Sequence, residues 1–282
     1  MMRNEMPLVD CHFHLFDAGA GTPSARYRPA YAARIEDWQR LLAPLGDLYG
    51  VVVQTSFLGT DNAALLAALG ASAGRLRGVA VVDPSVTDDA LAAMHAAGVR
   101  GIRLNLFGDP DWRRIGTAPW RTLFERIAGL GWHVELHTEN GQGVAMLAEL
   151  DAALGHCAAP VVLDHFCRPG ERGSRDAVFE AVATTLRHRQ VWVKLSAPYR
   201  LPTGTDWQSL AGTWSQVVGP DRLLLGSDWP WTNHESAARA DECAALFGWP
   251  CEPGAGGEVA GARGFAESLR WRNAAALYGF DL

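Results

Sequence analysis

The chain has 282 residues, 48% of them hydrophobic and 20% charged, so one α/β domain spanning 1–282 can bury its own core without disulfides or a partner chain. A formal net charge of −6 with dispersed arginines excludes the basic footprint of a nucleic-acid binder, and the absence of any run of about 18 apolar residues excludes a membrane-spanning helix. Five widely spaced cysteines with no C-x-x-C pair argue against a disulfide framework or a thiolate zinc site; with no signal-peptide stretch at the N-terminus, they fit a reducing cytoplasm.

Short β-branched runs alternate with Ala/Leu-rich stretches of helical spacing, the pattern that yields a parallel sheet. In chain order the predicted strands are Pro7–His14, Gly50–Ser56, Arg77–Val82, Val99–Asn105, Trp132–His137, Pro160–His165, Gln190–Ser196 and Arg222–Ser227. Between them, Asn62–Ala73 repeats Leu65, Leu66 and Leu69 at helical spacing, and Asp88–Ala97 carries Leu91 and Met94 on one face. Gly74, Gly98 and Gly131 stand near junctions from helix to strand, where a left-handed C-cap favours glycine. Eight such repeats predict a TIM (β/α)8 barrel. Two segments break the repeat: Asp17–Ala33 after strand 1, rich in Gly, Pro, Arg and Tyr, and the Gly-rich Cys251–Arg263 after strand 8. The first is expected to overhang the site and touch substrate.

In such a barrel the chemistry sits at the carboxyl ends of the strands. Side chains alternate along a strand, so His12 and His14 share one face, as do Gln54 and Ser56, Arg103 and Asn105, Glu135 and His137, and Lys194 and Ser196. Asp164-His165 and Ser227-Asp228 close strands 6 and 8. Polar residues at these positions cost core packing, and function is the simplest reason for them. A lone H-x-H pair is the ordinary sign of a buried histidine held by one hydrogen bond. Joined to His137, His165 and Asp228, it becomes a set of imidazole donors and one carboxylate suited to Zn²⁺ or Mn²⁺. Arg103 points inward by strand parity, and Arg168 and Arg200 follow strands 6 and 7 closely. Converging guanidinium groups would hold a small anionic substrate by its carboxylate.

Several motifs carry a resemblance across nearly the whole chain. They are Asp10-x-His12-x-His14, Val51-Val52-Val53-Gln54-x-Ser56 with Gly59-Thr60-Asp61-Asn62, Gly78-Val79-Ala80-Val81-Val82-Asp83-Pro84, Arg100-Gly101-Ile102-Arg103, Asp164-His165-x-x-Arg168-Pro169 and Gly226-Ser227-Asp228-Trp229-Pro230. Together they resemble the amidohydrolase superfamily and, within it, the branch similar to 2-pyrone-4,6-dicarboxylate lactonase. The resemblance implies a distorted TIM barrel that opens a lactone ring with water, Asp228 acting as general base and then proton donor. It implies His12, His14 and His165 as active-site histidines, and Tyr27, Ser56, Arg103, Arg168 and Arg200 as substrate contacts.

Two departures stand out. Leu106-Phe107-Gly108-Asp109 lies where that lactonase has a further arginine, and an aspartate there opposes a carboxylate. His137 lies where that lactonase has a tyrosine at the end of strand 5. The lactonase works without a divalent ion, whereas other members bind one through the H-x-H pair, later histidines and the strand 8 aspartate. His12, His14, His137 and Asp228 are therefore the expected ligands of one divalent ion, with metal-free hydrolysis as the alternative. The expected reaction is hydrolysis of a carboxylated or sugar-acid lactone. A metal-dependent decarboxylase on the same barrel, or a barrel that only binds a small acid, are the rival readings.

Overall fold

The computed structural model describes residues 6–236, 238–251 and 262–282. Eight strands form one parallel sheet in the order β1 to β8. They are Pro7–Phe13 (β1), Asp47–Val53 (β2), Leu76–Ala80 (β3), Val99–Asn105 (β4), His133–His137 (β5), Val161–Leu163 (β6), Val191–Ser196 (β7) and Leu223–Gly226 (β8). The helices in the same order are Ile35–Leu42 (α1), Ala63–Ala71 (α2), Asp88–Ala97 (α3), Ala118–Gly129 (α4), Gly143–Leu154 (α5), Val178–Thr185 (α6), Trp207–Val218 (α7), Ala238–Gly248 (α8), Ala262–Glu267 (α9) and Asn273–Tyr278 (α10). This is the predicted TIM-barrel class, with a helix after each strand.

All the predicted strands are present, and the shifts at their ends have local causes. β2 starts earlier than expected, because the polar Asp47 and its neighbours pair with Pro7, Leu8 and Val9. β6 stops at Leu163, because the backbone from His165 to Arg168 turns left-handed. The junction glycines 74, 98 and 131 have φ of 84°, 109° and 72°. All five cysteines are free, and no helix among the described residues is long and apolar enough to cross a membrane.

The chain forms two compact units. One holds the chain up to Val81, Ala97–Val99 and the chain from Leu224 onward; the other holds Val82–Ala96 and Arg100–Leu223. In the first unit the Phe13 ring stacks on Trp38 of α1, with centroids 4.1 Å apart and planes 6° from parallel. Gly50 makes that stack possible, since a Cβ there would stand 2.7 Å from both rings. β1 also meets the segment after β8: Phe13 bridges Trp229, the His14 amide donates to the Trp229 carbonyl (2.9 Å), and the Asp228 amide donates to the His12 carbonyl (2.8 Å). The segment Asp17–Ala33 is closed at its base by an antiparallel bridge between Phe16 and Ala33. Most of the Gly-rich segment Cys251–Arg263 lies outside the described residues.

In the second unit β4 to β7 pair in register, placing Arg103 beside Glu135 and Asn105 beside His137. Gly101 leaves room for the His133 ring, which a Cβ would meet at 2.4 Å. Helix α4 buries Leu123, Phe124 and Ile127, the apolar stripe of an amphipathic helix. Helix α7 is capped by Asp206, whose carboxylate accepts from the amides of Gln208 and Ser209.

Candidate active site

The carboxyl end of β1 and the turn after β8 build the first cluster. Asp10 is fully buried and acts as a clamp: Oδ1 accepts from the amides of His12 (3.1 Å) and Ser227 (2.8 Å), and Oδ2 accepts from Trp38 Nε1 (2.8 Å) and Ser227 Oγ (2.6 Å). Burial raises its pKa, against those four hydrogen bonds. The clamp holds Ser227 beside strand β1 and so fixes where Asp228 begins. His12 Nε2 and His14 Nε2 then stand 3.5 and 3.3 Å from Asp228 Oδ1. His14 Nδ1 lies 2.7 Å from the Val53 carbonyl, which can only accept, so Nδ1 carries the proton and Nε2 presents its lone pair. A lone pair facing a carboxylate at 3.3 Å calls for a positive centre between them, a proton or a cation. The trio therefore fits a divalent ion by its donor chemistry.

The second cluster rises from β4, β5, β6 and β7. Lys194, Glu135, Asp164 and Arg103 are all buried, two basic groups against two carboxyl groups. Lys194 Nζ bonds Glu135 and lies 3.6 Å from Asp164; Arg103 reaches Asp164 through Nε and Nη2 (both 3.0 Å) and Glu135 at 3.5 Å. Burial, with the nearby Asp164 charge, pushes Glu135 up to about 8 against the pull of Lys194 and Arg103. Beside this network Arg103 Nη2 lies 3.1 Å from His137 Nδ1, and Arg168 Nη1 lies 3.3 Å from His137 Nε2. Burial and the Arg103 charge hold the His137 pKa well below its usual value, so the ring is neutral. A neutral imidazole has one lone pair for two guanidinium groups, so one contact sets donor against donor. His165 Nδ1 bonds Ser196 Oγ at 2.8 Å, and Arg168 Nε donates to Asn140 Oδ1 at 2.8 Å.

Each unit brings some of the expected residues together. His12, His14 and Asp228 come together in the first unit; Arg103, His137, His165 and Arg168 come together in the second. With Asp164 and His165, His137 offers ligand atoms within 4.8 Å of one another, but both its nitrogens face guanidinium groups, which favour an anion. Tyr27 donates to Glu235 Oε1 at 2.7 Å, and Tyr31 donates to the same atom at 2.7 Å. Ser56 is exposed and opens a 3-10 turn, while Gln54, on the same strand face by parity, is buried and ties the loop through the carbonyls of Gly59 and Asp61. The Arg200 guanidinium lies over Tyr199, and its carbonyl accepts weakly from Arg168 and Asn140 at 3.5 Å.

Left-handed backbone marks both clusters. Asp228 has φ of 55°, and His165, Phe166, Cys167 and Arg168 form a run at 52°, 57°, 55° and 44°. Such positions cost roughly 1–3 kcal/mol each for residues with a Cβ and gather at sites where side-chain aim matters more than stability. Trp38, Asn140, Phe107 and the clamp role of Asp10 escape sequence reasoning. Apart from the His12 amide two residues from Asp10, their partners lie 28 residues or more away, and no local pattern marks them.

The 2-pyrone-4,6-dicarbaxylate hydrolase of Comamonas testosteroni is 36% identical over 245 residues, covering 80% of this chain and 77% of its own. The 4-sulfomuconolactone hydrolase of Hydrogenophaga intermedia is 29% identical over 238 residues, covering 82% and 77%. Among solved structures, a probable 2-pyrone-4,6-dicarboxylic acid hydrolase from Acinetobacter baumannii with citric acid bound superposes with a TM-score of 0.82 at 28% identity, covering 98% of this chain and all of that one. The amidohydrolase family model matches residues 9–280, and the chain belongs to that family.

Proposed function

We propose that the protein is a lactonase that opens the ring of a carboxylated or sugar-acid lactone by adding water. The observation that carries this reading is the convergence of His12 Nε2 and His14 Nε2 on Asp228 Oδ1. Relatives named as a 2-pyrone-4,6-dicarbaxylate hydrolase and a 4-sulfomuconolactone hydrolase support it. Water is too weak a nucleophile for an unactivated ester at neutral pH, so a base must take its proton and a donor must polarise the carbonyl. Asp228 takes the proton and returns it to the departing ring oxygen. With the Ser196 hydroxyl donating to His165 Nδ1, His165 Nε2 carries a proton that it donates to the carbonyl oxygen. Arg168 holds the substrate carboxylate, trading its contact with His137 for a charge-assisted pair. Arg103, tied to Asp164 and Glu135, fixes the other edge of His137.

His12, His14 and Asp228 would hold a single divalent ion, Zn²⁺ or Mn²⁺, which supplies Lewis-acid polarisation of the carbonyl when bound. The test is a lactone panel followed by loss of ring absorbance, run with and without a chelator and paired with elemental analysis of the purified protein. Ring opening that vanishes in Asp228→Asn is expected. Release of carbon dioxide from a carboxylated substrate with no ring opening would overturn the reading in favour of decarboxylation.

A further inference from the structure

Phe107 sits just past the carboxyl end of β4 and is 39% exposed, whereas every other phenylalanine among the described residues is buried. The loop that carries it is tied down on both sides. The Leu106 amide donates to the His137 carbonyl (3.0 Å), and the Gly108 amide donates to Glu139 Oε1 (2.6 Å). The ring thus has a set orientation: the Arg168 guanidinium carbon stands 4.7 Å from its centroid, and the His137 ring lies 5.9 Å away, within 18° of parallel. Arg168 itself is buried. An apolar ring left in solvent at a strand's carboxyl end, one side of it against a buried guanidinium, is built to receive a flat ligand.

The charges around this loop limit what that ligand carries. Asp109 and Glu139 are acidic, and the nearby Arg114 is already paired with Asp109. A cavity of about 360 Å³ at the loop is lined by Leu106, Trp112, Gln142 and Met146 together with those two acids. A second acid group at this loop would meet the negative charge of Asp109 and Glu139.

Resting on the lactonase reading, we infer that Phe107 determines specificity. Its ring carries the flat, uncharged face of a lactone that has a single carboxylate, and that carboxylate is held by Arg168. The experiment compares kcat and KM for 2-pyrone-6-carboxylate and 2-pyrone-4,6-dicarboxylate in the native protein and in Phe107→Leu, Phe107→Tyr and Phe107→Arg. In parallel, calorimetry measures binding of benzoate and isophthalate to the same proteins.

The expected result is a lower KM for the monoacid. Phe107→Leu raises that KM about 3- to 10-fold with a smaller effect on kcat, Phe107→Tyr restores it, and Phe107→Arg shifts preference toward the diacid. If neither pyrone nor any other lactone of the panel is opened but benzoate binds more tightly than isophthalate and Phe107→Leu abolishes the difference, the platform stands and the lactonase reading falls. If both pyrones are opened and Phe107→Leu moves neither KM nor benzoate affinity, the platform falls and the lactonase reading stands.

Discussion

At Asp228 the carboxylate is aimed by a backbone of φ 55°, a conformation that asparagine tolerates better than most residues. Asp228→Asn therefore keeps the turn and removes only the basic oxygen. It is expected to lower kcat by about 10²- to 10⁴-fold with little change in KM or melting temperature. Steady-state kinetics beside a thermal melt check this, and a large drop in melting temperature would reassign Asp228 to a structural role. The H-x-H pair and Asp228 are readable in the sequence because strand parity sets their direction. The tautomer of His14 is not, since it depends on the Val53 carbonyl of the neighbouring strand. His137 shows the limit most clearly. Its residue type suggests a metal ligand, while its arginine neighbours, 34 and 31 residues away in sequence, are not marked by any local pattern.

Among the elements, β1, β2 and α1 meet at Gly50, where the Phe13–Trp38 stack leaves no space for a methyl group. Gly50→Ala should cost roughly 1–3 kcal/mol by overpacking, and because Trp38 also anchors Asp10 it should lower kcat. Urea unfolding and turnover on the same sample test both halves. His133 on β5 carries a pH consequence. Burial and the Lys194 charge lower its pKa to about 3, so between about 6.5 and 3 the unfolded chain binds a proton that the folded chain does not. Its contribution falls as pH drops through that window, by about 2 kcal/mol at pH 5. Glu135, raised to about 8, acts in the opposite sense between its ordinary value and 8, so the His133 share is read by difference. Relative to the native protein, His133→Gln should gain about 2 kcal/mol of stability as pH falls from 7 to 5, because the Glu135 share is then unopposed, and a difference between the two proteins that does not change with pH would contradict the assignment. The strands themselves are readable because β-branched runs bounded by glycine have few alternatives. The left-handed run from His165 to Arg168 is not, since no residue there is a glycine.

At the scale of the whole molecule, an ion held by the His12, His14 and Asp228 trio should stabilise the native state by mass action. Added Zn²⁺ is expected to raise the melting temperature of chelator-treated protein, and His14→Asn to remove that response. No shift in the unaltered protein would favour metal-free hydrolysis. The basic residues have a consequence of a different kind. Lysine and arginine together number 25, yet Lys194 is the one lysine and it is fully buried against Glu135 and Asp164. An acylating reagent in solution therefore finds no side-chain amine on the folded protein. Acylation of Lys194, read by peptide mass, should follow opening of the fold around β7, so the native chain already carries a chemical clock for its own unfolding.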